Sequence, residues 1–368
     1  MKLIDKFDKG KIKILFPFMG DSYGGAHLST IELINYLEKK TNFEPILIIH
    51  KKGKFYRFLR RKKIKFIFLE LNKILGSKLG IFANMFIFFH IIFKIANFIK
   101  SNNIRIVHSN SIRENITYSI ICKFLNTKHI WHQRSKLEAK KINFIFKYLS
   151  NVCISNSKYT SDNLPYHPVK KVIYNYFSLP KMKIENKNFN KEKIIFGLLS
   201  RVHRTKNIEY VIDIINEIKN YYNKKILFYI SGEILDKKYF KFLNQKILEL
   251  DLKKNVIFDK FQDPYKFLQK IDFLFSSFRA EGFGRTIVEA YISKTPYFIY
   301  NKGAHKEIHK VLNGGIAFNS LKNSKKKLRI LLSAKFLKEY KKNYDIRKVT
   351  VNFGFQNFAK LNKIYTKL

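Results

Sequence analysis

One stretch of the chain, residues 271–304, most constrains what it can fold into. It begins with an apolar run, continues through a glycine-containing turn at residues 281–284 and becomes a segment whose apolar residues recur at helical spacing. The step from Thr295 to Pro296 ends the predicted helix, because the residue before a proline is disfavoured in the α region. A second apolar run follows at residues 297–300. The pattern predicts strand, turn, helix and strand, which is one βαβ unit of a parallel sheet.

The turn of this unit suits a phosphate group. Gly282 and Gly284 let backbone amides approach a ligand closely, and the helix that follows directs its positive end to the same point. Carboxylates lie on both sides, Glu281 before the helix and Glu289 about two turns along it. A nucleotide sugar fits this layout, since it has hydroxyl groups at both ends and a pyrophosphate between them. The alternative interpretation is an acid that complements the helix dipole and a second acid on the surface.

The two glutamates are separated by seven residues, with Gly-Phe-Gly directly after the first and Glu-Ala at the end. This pattern resembles the signature of the family 4 (group 1) glycosyltransferases. The resemblance implies an α/β protein with two Rossmann-like doubly wound domains that face each other across a cleft, the GT-B fold. It also implies that Glu281 holds hydroxyls of the donor sugar, that Glu289 binds the ribose, and that the amides of Gly282, Phe283 and Gly284 bind the donor diphosphate.

Two further segments of the second half look like elements of the same family. Arg201 and Lys206 lie between a predicted strand and a predicted helix, where a guanidinium fork and an ammonium can neutralise a pyrophosphate. The phrase L-L-S-R-V-H-R-T-K-N resembles the family element G-R-L-x-x-x-K-G, although Asn207 replaces the last glycine. The resemblance implies that both basic residues are catalytic. The phrase G-A-H-K-E-I resembles the family's glycine-rich loop and acid, which implies that Gly303 and Glu307 lie near the cleft.

The first half repeats the strand, glycine and helix pattern. An apolar run at residues 12–18 predicts a buried parallel strand, and a helix is expected from about Ala26 to Lys39. A glycine pair between them is often no more than a tight turn. The resemblance implies a Gly-Gly loop after the first strand of the domain, so Gly24 and Gly25 are candidates for donor binding.

A predicted strand, R-I-V-H-S-N-S, ends in polar residues at the edge where doubly wound sheets bind ligands. The resemblance implies one or two histidines near the donor sugar at the end of such a strand, so His108 is a catalytic candidate. Asn110 stands where a second histidine is often found, which leaves open which of the two positions matters. The alternative is a histidine with its polar tip in water. A second strand end, W-H-Q-R, is a weaker candidate for contact with the acceptor.

The predicted boundaries give four segments. Residues 1–178 form an acceptor-side Rossmann-like domain, and residues 179–192 form a linker that is rich in charge and lacks periodicity. Residues 193–343 form the domain that binds the nucleotide sugar. The tail at residues 344–368 has apolar residues at helical spacing, and we expect it to return to the first domain.

Composition limits the possible partners and the cellular location. The net charge of +45 implies an anionic partner, unless it reflects a general bias of composition, and 46% hydrophobic residues exclude a disordered chain. Basic residues are spread over both halves without a recognition motif, so no nucleic acid is expected. The two cysteines lack metal-ligand spacing, so no metal is expected. The N-terminus lacks a secretory signal, and the cytoplasm is the predicted location.

Two segments concern the membrane. A basic amphipathic stretch at residues 51–65 predicts peripheral contact with an anionic membrane, at the inner face of the cytoplasmic membrane, with Phe55, Phe58 and Leu59 inserted shallowly. The alternative is a solvated helix on a basic protein. Residues 79–99 are long and apolar enough to suggest a transmembrane helix, but His90 and Lys94 interrupt them, and a buried crossover helix is favoured.

These observations predict an enzyme. The resemblance implies a retaining, metal-independent glycosyltransferase of the hexosyltransferase type, which needs no cofactor. It would move a sugar from a nucleotide-diphosphate sugar to a growing surface polysaccharide, such as lipopolysaccharide, or to a lipid-linked glycan. The alternatives are a sugar-nucleotide epimerase of the same fold and, less favoured, a nucleic-acid-binding protein.

Overall fold

The computed structural model describes residues 10–71, 81–136, 148–187, 192–219 and 225–368, with the backbone alone at residues 40, 81–88, 90 and 321. The described chain divides into two compact units. The first runs to Tyr176 and includes Phe355–Leu368, and the second is Phe177–Gly354.

The first unit is a parallel sheet covered by helices. Its seven described strands lie in the order β3-β2-β1-β4-β5-β6-β7, and every neighbouring pair is parallel. Its elements, in chain order, are β1 (Ile12–Phe18), α1 (Gly25–Lys40), β2 (Phe43–Ile49), α2 (Lys54–Arg61), β3 (Ile67–Phe68), α3 (Ile81–Ser101), β4 (Ile104–Ser109), α4 (Ile112–Phe124), β5 (Lys128–Gln133), β6 (Val152–Ser155), α5 (Lys158–Asp162) and β7 (Lys170–Val172).

The second unit has the same architecture. Its six described strands lie in the order β10-β9-β8-β11-β12-β13, again all parallel. Its elements are β8 (Lys193–Leu199), a 3-10 turn (Arg204–Lys206), α6 (Ile208–Ile218), β9 (Lys225–Ser231), α7 (Lys237–Glu249), β10 (Val256–Asp259), α8 (Pro264–Lys270), β11 (Phe273–Ser276), α9 (Arg285–Ile292), β12 (Tyr297–Tyr300), α10 (Ala304–Leu312), β13 (Gly315–Phe318), α11 (Leu321–Leu331), α12 (Ala334–Asn343) and α13 (Arg347–Phe353).

The apolar runs explain the sheets. Ile14, Leu15 and Phe16 are consecutive and all fully buried, so both faces of β1 are covered. Continuous apolar strands of this kind are typical of parallel sheets with helices on both faces. The predicted fold class of two doubly wound α/β domains is therefore confirmed.

The end of the chain is shared between the two units. The backbone amide of Phe177 donates to the carbonyl of Phe353 at 2.8 Å, both in the second unit. In the first unit, α14 (Gln356–Lys367) follows, and the rings of Tyr176 and Phe358 lie 4.2 Å apart. The tail that was expected to return to the first domain began at residue 344, whereas the structure assigns Phe355–Leu368 to the first unit.

The helix at residues 81–101 bears on the transmembrane question. Ile91, Ile95 and Ile99 are buried in the core of the first unit, while Phe89 and Phe93 are 56% and 67% exposed. Among the described helices, none is long and apolar enough to cross a membrane. The helix α3 leads into β4, which agrees with the favoured crossover helix.

The membrane-insertion hypothesis for α2 needs a correction. Phe55 and Leu59 are fully buried in the core of the first unit, and the ring of Phe58 stacks on Tyr23 at 4.3 Å. Burial of two such side chains contributes roughly 3 to 6 kcal/mol, which their transfer into lipid would forfeit. The prediction that Phe55, Phe58 and Leu59 insert into a membrane is wrong, because the apolar stripe of this helix faces its own core.

Candidate active site

Three predicted site segments of the second unit meet at one edge of its sheet. Arg201 follows β8, Glu281 follows β11 and Gly303 follows β12. The strands β8, β11 and β12 are neighbours in the sheet, so their carboxyl ends are adjacent. This is the edge where open parallel sheets bind ligands. The strand order therefore brings together segments that are far apart in the sequence.

Glu281 and Lys206 form an ion pair at this edge. Lys206 Nζ lies 3.3 Å from Glu281 Oε2, and the two side chains are 18% and 27% exposed. The same ammonium lies 3.7 Å from the centre of the Phe278 ring. Burial by itself raises the pKa of Glu281, but the Lys206 charge, the neighbouring His305 and hydrogen bonds from Lys206 and the Gly282 amide lower it overall. The carboxyl group is therefore ionised at neutral pH.

A serine fixes the backbone that carries Lys206. The hydroxyl of Ser277 lies 2.9 Å from the carbonyl oxygen of Lys206 and 2.8 Å from that of Asn207, and donates to them. Asn207 takes a left-handed conformation between the 3-10 turn and α6. Asparagine tolerates this conformation better than most residues, which explains how it replaces the glycine of the family element.

The glycine turns around Glu281 are in close contact. Gly284 precedes α9 with φ of 87°, and Gly303 precedes α10 with φ of 62°. The amide of Ala304 donates to the carbonyl of Glu281 at 2.9 Å. A Cβ at Gly303 would lie 2.9 Å from the carbonyl oxygen and 3.0 Å from the amide nitrogen of Glu281. Gly303 is therefore required both by its φ and by the space that Glu281 needs.

Arg201 is exposed, and its side chain has no hydrogen bond or ion pair within the described residues. The backbone beside it is fixed by a close approach of two loops, since a Cβ at Gly232 would lie 1.9 Å from the carbonyl oxygen of Ser200. Val202 forms a parallel bridge with Ile234 next to it. The guanidinium thus extends from a well-anchored loop, and its predicted role at the diphosphate stays a prediction.

Glu289 lies in α9 with its side chain 5% exposed, and its Oε1 lies 3.3 Å from Nε of Arg285 one turn earlier. The Arg285 guanidinium in turn lies 4.4 Å from the centre of the Phe177 ring. Phe283, between the two glycines of the turn, is buried with its ring 6.0 Å from that of Phe177. The predicted ribose ligand is therefore a buried, ion-paired acid.

His305 is a residue that the sequence analysis missed. It lies in the first turn of α10 and is fully buried, and a Cβ at Gly284 would lie 3.0 Å from its Cδ2. Burial lowers the pKa of His305 to about 4, despite the nearby Glu281 carboxylate. A neutral ring therefore supports the turn after Glu281. Its signal in the sequence is a histidine directly after the Gly-Ala step. Glu307, named with that loop, lies in the same first turn.

In the first unit, a pocket of about 300 Å³ lies at the carboxyl ends of β1, β4 and β5. Two contacts join the loop after β1 to the start of α4. The Met19 amide donates to Glu114 Oε1 at 2.7 Å, and Arg113 Nη2 donates to the Asp21 carboxylate at 3.0 and 3.1 Å. These polar residues were not among the predicted site residues. Arg113 and Glu114 follow the predicted strand that ends in His108 and Asn110, and Asp21 follows the predicted strand at residues 12–18. Their positions after these strand ends are the signal that could have indicated them.

The glycines of this loop differ from the expectation. Gly25 begins α1, and Gly24 before it has an extended backbone with nothing within 4 Å of an added Cβ. Gly20 instead has φ of 92°, and a Cβ there would lie 2.5 Å from the carbonyl oxygen of Lys51. Gly20 also lines the pocket. The conformational need for glycine in this loop therefore falls on Gly20, and donor binding by Gly24 and Gly25 stays a prediction.

His108 is fully buried, which excludes a histidine with its tip in water. Both of its ring nitrogens have partners, the Tyr365 hydroxyl at 2.6 Å from Nδ1 and His132 Nδ1 at 2.9 Å from Nε2. The pocket wall contains Asn110 and His132 but not His108. Gln133 and Arg134 of the W-H-Q-R strand end also line the pocket. The structure thus brings the two predicted strand ends together, with His108 behind His132.

Arg134 joins the same wall to the end of the first unit's sheet. Its Nε donates to Asn110 Oδ1 and its Nη1 to Asn175 Oδ1, both at 2.8 Å.

Within the described residues no group of three or more His, Cys, Asp or Glu side chains is arranged to hold a metal ion.

The comparisons with known proteins agree with this geometry. Residues 181–348 match the family model of the group 1 glycosyl transferases. A relative in Staphylococcus aureus, the capsular polysaccharide biosynthesis glycosyltransferase CapH, is 24% identical over 302 residues, which cover 76% of this chain and 79% of that protein.

Solved structures share the fold. HepE of Anabaena, in complex with UDP and glucose, has a TM-score of 0.78 at 18% identity, with 97% of this chain and all of that chain covered. A glycosyltransferase from Rickettsia africae has a TM-score of 0.78 at 19% identity, with 97% and 98% covered.

The two parallel α/β units have the GT-B fold, and the second unit places glycine turns and a lysine at its strand ends. The family match, which covers the second unit's Arg201, Lys206, Glu281 and Glu289, makes the assignment more specific. Over residues 181–348 the chain matches the group 1 glycosyltransferases, and it is a glycosyltransferase.

Proposed function

We propose that the enzyme moves a sugar, with retention of its anomeric configuration and without a metal ion, from a nucleotide-diphosphate sugar to a growing surface polysaccharide or lipid-linked glycan. The observation that carries this proposal is the Lys206 and Glu281 ion pair, which lies beside a glycine turn at the carboxyl ends of neighbouring strands. The relative CapH is a capsular polysaccharide glycosyltransferase and the similar HepE structure contains UDP and glucose, which favours a UDP-sugar donor and a polysaccharide acceptor.

The reaction breaks the bond between the anomeric carbon and the diphosphate oxygen, and forms a bond from that carbon to an acceptor hydroxyl oxygen. The diphosphate leaves with the electron pair, and the hydroxyl proton passes to it. Negative charge therefore grows on the leaving oxygen. Preorganised donors stabilise a transition state most where charge develops. Arg201 supplies a guanidinium fork there and Lys206 a point charge, together with the backbone amides after Glu281.

Glu281 and Lys206 can serve the donor at the same time. An ammonium has three N–H donors, so one bond to Glu281 leaves two for the diphosphate. The ionised Glu281 carboxylate accepts hydrogen bonds from hydroxyls of the donor sugar. Its lowered pKa supports this role, because an ionised carboxylate only accepts hydrogen bonds, whereas a protonated carboxyl group has one O–H donor.

A donor screen tests the proposal. Release of nucleoside diphosphate is measured across UDP-, GDP- and ADP-sugars, with and without a lipid-linked acceptor. We expect release that depends on the acceptor, and a loss of about 2 to 4 kcal/mol in transition-state stabilisation for Lys206→Ala. Lys238→Ala, at an exposed lysine of α7, is the matched control. Normal activity of Lys206→Ala, or conversion of the donor sugar without an acceptor, would contradict the proposal.

We also propose that the enzyme works at the inner face of the cytoplasmic membrane as a peripheral protein. The support is the basic face of α2 and the turn after it, where Arg57, Arg60, Arg61, Lys62 and Lys63 are all exposed. Each Lys or Arg near an anionic leaflet contributes roughly 1 kcal/mol. The contact with the membrane would be electrostatic, between these basic side chains and anionic lipids. Insertion of apolar side chains is excluded because Phe55 and Leu59 are buried in the core.

A further inference from the structure

The start of helix α6, directly after Lys206 and Asn207, is capped by a tyrosine from another helix. The amides of Ile208 and Glu209 are the first two of α6, and they donate to the hydroxyl oxygen of Tyr239 at 2.7 and 3.3 Å. The same hydroxyl donates its proton to the Glu209 carboxylate. A tyrosine hydroxyl has one proton and two lone pairs, so each of them is used here. Tyr239, in α7, therefore satisfies two amides that have no partner within their own helix.

Asn207 does not provide this cap, although it is the residue before α6. N-cap residues normally have an extended backbone, from which the side chain accepts a hydrogen bond from an amide of the first turn. Asn207 instead has a left-handed conformation with φ of 55°, and its side chain makes no capping hydrogen bond. The cap of α6 is thus supplied by Tyr239, from a position 31 residues after Ile208.

Four successive backbone groups after the 3-10 turn are held by side chains. The carbonyls of Lys206 and Asn207 accept from the Ser277 hydroxyl at 2.9 and 2.8 Å. The amides of the next two residues donate to Tyr239. Ser277 follows β11, whereas Tyr239 lies in α7, so the backbone at Lys206 is fixed from two different elements.

The tyrosine itself is anchored to the loop that carries Lys206. The carbonyl of Val202, in this loop, accepts from the Asp236 amide at 3.2 Å, and the Asp236 carboxylate accepts from the Tyr239 amide at 2.9 Å. Tyr239 is buried, and burial, followed by its hydrogen bond to Glu209, raises its pKa. The hydroxyl therefore keeps its proton, and its position is set by the same loop whose backbone it holds.

We propose that Tyr239 is a positioning residue of the transfer reaction: its hydroxyl holds the start of α6, and this places the ammonium of Lys206 against Glu281 and the donor diphosphate. The role of Lys206 at the diphosphate rests on the proposed function. Lys206 Nζ lies 3.3 Å from Glu281 Oε2, near the outer limit of a hydrogen bond, so a small shift of the backbone would break the contact. Misplacement of a catalytic group by about 1 Å can lower a rate about a hundredfold. A buried hydroxyl whose proton and lone pairs are all used acts through Lys206 and not on the substrate.

The position of Lys206 is tested without any donor, by a ¹³C NMR titration of Glu281 in the full chain, with the signal assigned by its loss in Glu281→Gln. Burial raises the pKa of Glu281 and the Lys206 charge lowers it, so this pKa reports how close the ammonium lies. Tyr239→Phe removes only the hydroxyl, and we expect it to raise the pKa of Glu281 in the same direction as Lys206→Ala. An unchanged pKa of Glu281 in Tyr239→Phe would overturn the proposal.

Tyr297→Phe is the matched control. Tyr297 is another buried tyrosine of the second unit, and its hydroxyl accepts from the Gly314 amide at 3.0 Å. It begins β12, so it lies at the amino end of that strand, away from the edge that carries Lys206. The variant loses a comparable hydrogen bond and should leave the pKa of Glu281 unchanged. An equal rise in Tyr239→Phe and Tyr297→Phe would show a general loss of packing and refute the positioning role.

The kinetics of transfer test whether Tyr239 acts through Lys206. With the donor identified by the screen, we expect Tyr239→Phe to lower kcat/KM about tenfold, and to change it by less than about twofold when Lys206 is already alanine. The second change is small because the cap then has no ammonium to place. KM for the acceptor should stay at its wild-type value. Equal fold losses in the two backgrounds would show that Tyr239 acts independently of Lys206, which contradicts the proposal.

Hydrogen exchange of the wild type tests the cap itself and does not depend on how any variant folds. The amides of Ile208 and Glu209 should exchange as slowly as amides in the interior of α6, because both donate to Tyr239. Fast exchange at both positions would show that the cap does not hold the start of the helix, and the proposal would fail.

The outcomes separate this inference from the proposed function. If no donor supports transfer while Tyr239→Phe raises the pKa of Glu281, the proposed function fails and the placement of Lys206 by Tyr239 stands. If transfer occurs as proposed while the pKa of Glu281 stays unchanged in Tyr239→Phe, only the positioning role fails.

Discussion

Glu289 shows how burial decides between two interpretations of one residue. The sequence allows a ribose ligand or a surface acid, and the residue is 4% exposed, which excludes the surface acid. A buried carboxylate is stable as an ion only when it is paired, and Arg285 lies one turn earlier with its Nε at 3.3 Å. Arg285 is thus a charged partner for Glu289 inside α9. An ionised acid can accept hydrogen bonds from two neighbouring hydroxyls, as a ribose requires.

The two carboxylates of the signature should differ in their kinetic effect. In its predicted role as the ribose ligand, Glu289 makes a hydrogen bond to the donor both before and during the reaction. Glu289→Ala should therefore raise KM for the donor by the equivalent of about 1 to 3 kcal/mol. Glu281→Ala removes a contact at the reacting sugar, so kcat should fall. Steady-state kinetics with the donor identified by the screen measures both effects.

A matched variant controls for stability in this experiment. Glu289→Ala removes the ion pair with the partly buried Arg285 guanidinium, which is itself destabilising. Glu289→Gln keeps the shape of the side chain and one acceptor oxygen. Thermal unfolding of Glu281→Ala, Glu289→Ala and Glu289→Gln then shows whether a kinetic change reflects lost donor binding or a loss of folded protein. Wild-type kinetics in both Glu281→Ala and Glu289→Ala would refute the role of the signature.

At the scale of elements, the two turns beside Glu281 depend on each other. The turn before α10 approaches Glu281 so closely that only Gly303 fits, and the Ala304 amide is bonded to the Glu281 carbonyl. The turn before α1 has no such neighbour at Gly24. Gly303 is therefore required because a side chain would not fit there, whereas the space around Gly24 would accept a side chain.

Alanine substitutions at Gly303 and Gly24 should therefore differ in their effect on the stability of the fold. Gly303→Ala places a Cβ against the Glu281 backbone at a positive φ, so we expect a loss of roughly 1 to 3 kcal/mol of unfolding free energy and reduced activity. Gly24→Ala has an extended backbone and free space, so it should be neutral in stability. Chemical denaturation of the two variants against wild type measures the difference, and equal stability of Gly303→Ala and wild type would contradict this account.

The basic face of α2 gives a second element-scale prediction. Replacement of Arg60, Arg61, Lys62 and Lys63 by glutamine should weaken sedimentation with anionic liposomes and leave the core intact, since all four are exposed. Binding should also weaken as salt rises, because exposed charges are screened beyond about 8 Å at physiological ionic strength. A control quadruple variant of exposed lysines on α12 keeps the net charge equal. Equal binding to neutral and anionic vesicles would contradict the proposed membrane contact. The high net charge would then be explained by a general bias of composition.

Helix α2 also shows where prediction from sequence ends. An amphipathic helix with a basic face has the same residue pattern whether its apolar stripe faces a core or a membrane, so the pattern could not exclude insertion of Phe55 and Leu59. The strands and glycine turns were predictable, because their signals are local in the sequence. The contact of Tyr365 with His108 was not, since it joins residues 257 positions apart. Likewise, the sequence shows which residues are glycine but not which have a positive φ.

At the scale of the whole molecule, the two units share an architecture but differ in chemistry. The second unit brings the cations of Lys206 and Arg201 to the strand ends, together with an ionised Glu281. The first unit has a pocket whose basic residues are already engaged, Arg113 with Asp21 and Arg134 with Asn110 and Asn175. Charge that favours a diphosphate therefore lies in the unit that matches the family model.

This division predicts how the complete enzyme responds to metal removal. In the proposed mechanism Arg201 and Lys206 oppose the charge that develops on the departing diphosphate. EDTA should therefore leave the rate of transfer unchanged within about twofold, which corresponds to about 0.4 kcal/mol. The product should keep the anomeric configuration of the donor, because the departing diphosphate remains on one face of the sugar and takes the acceptor proton there. Proton NMR of the product determines its configuration. A strict requirement for a divalent cation, or an inverted product, would show that the Arg201 and Lys206 clamp does not act as proposed.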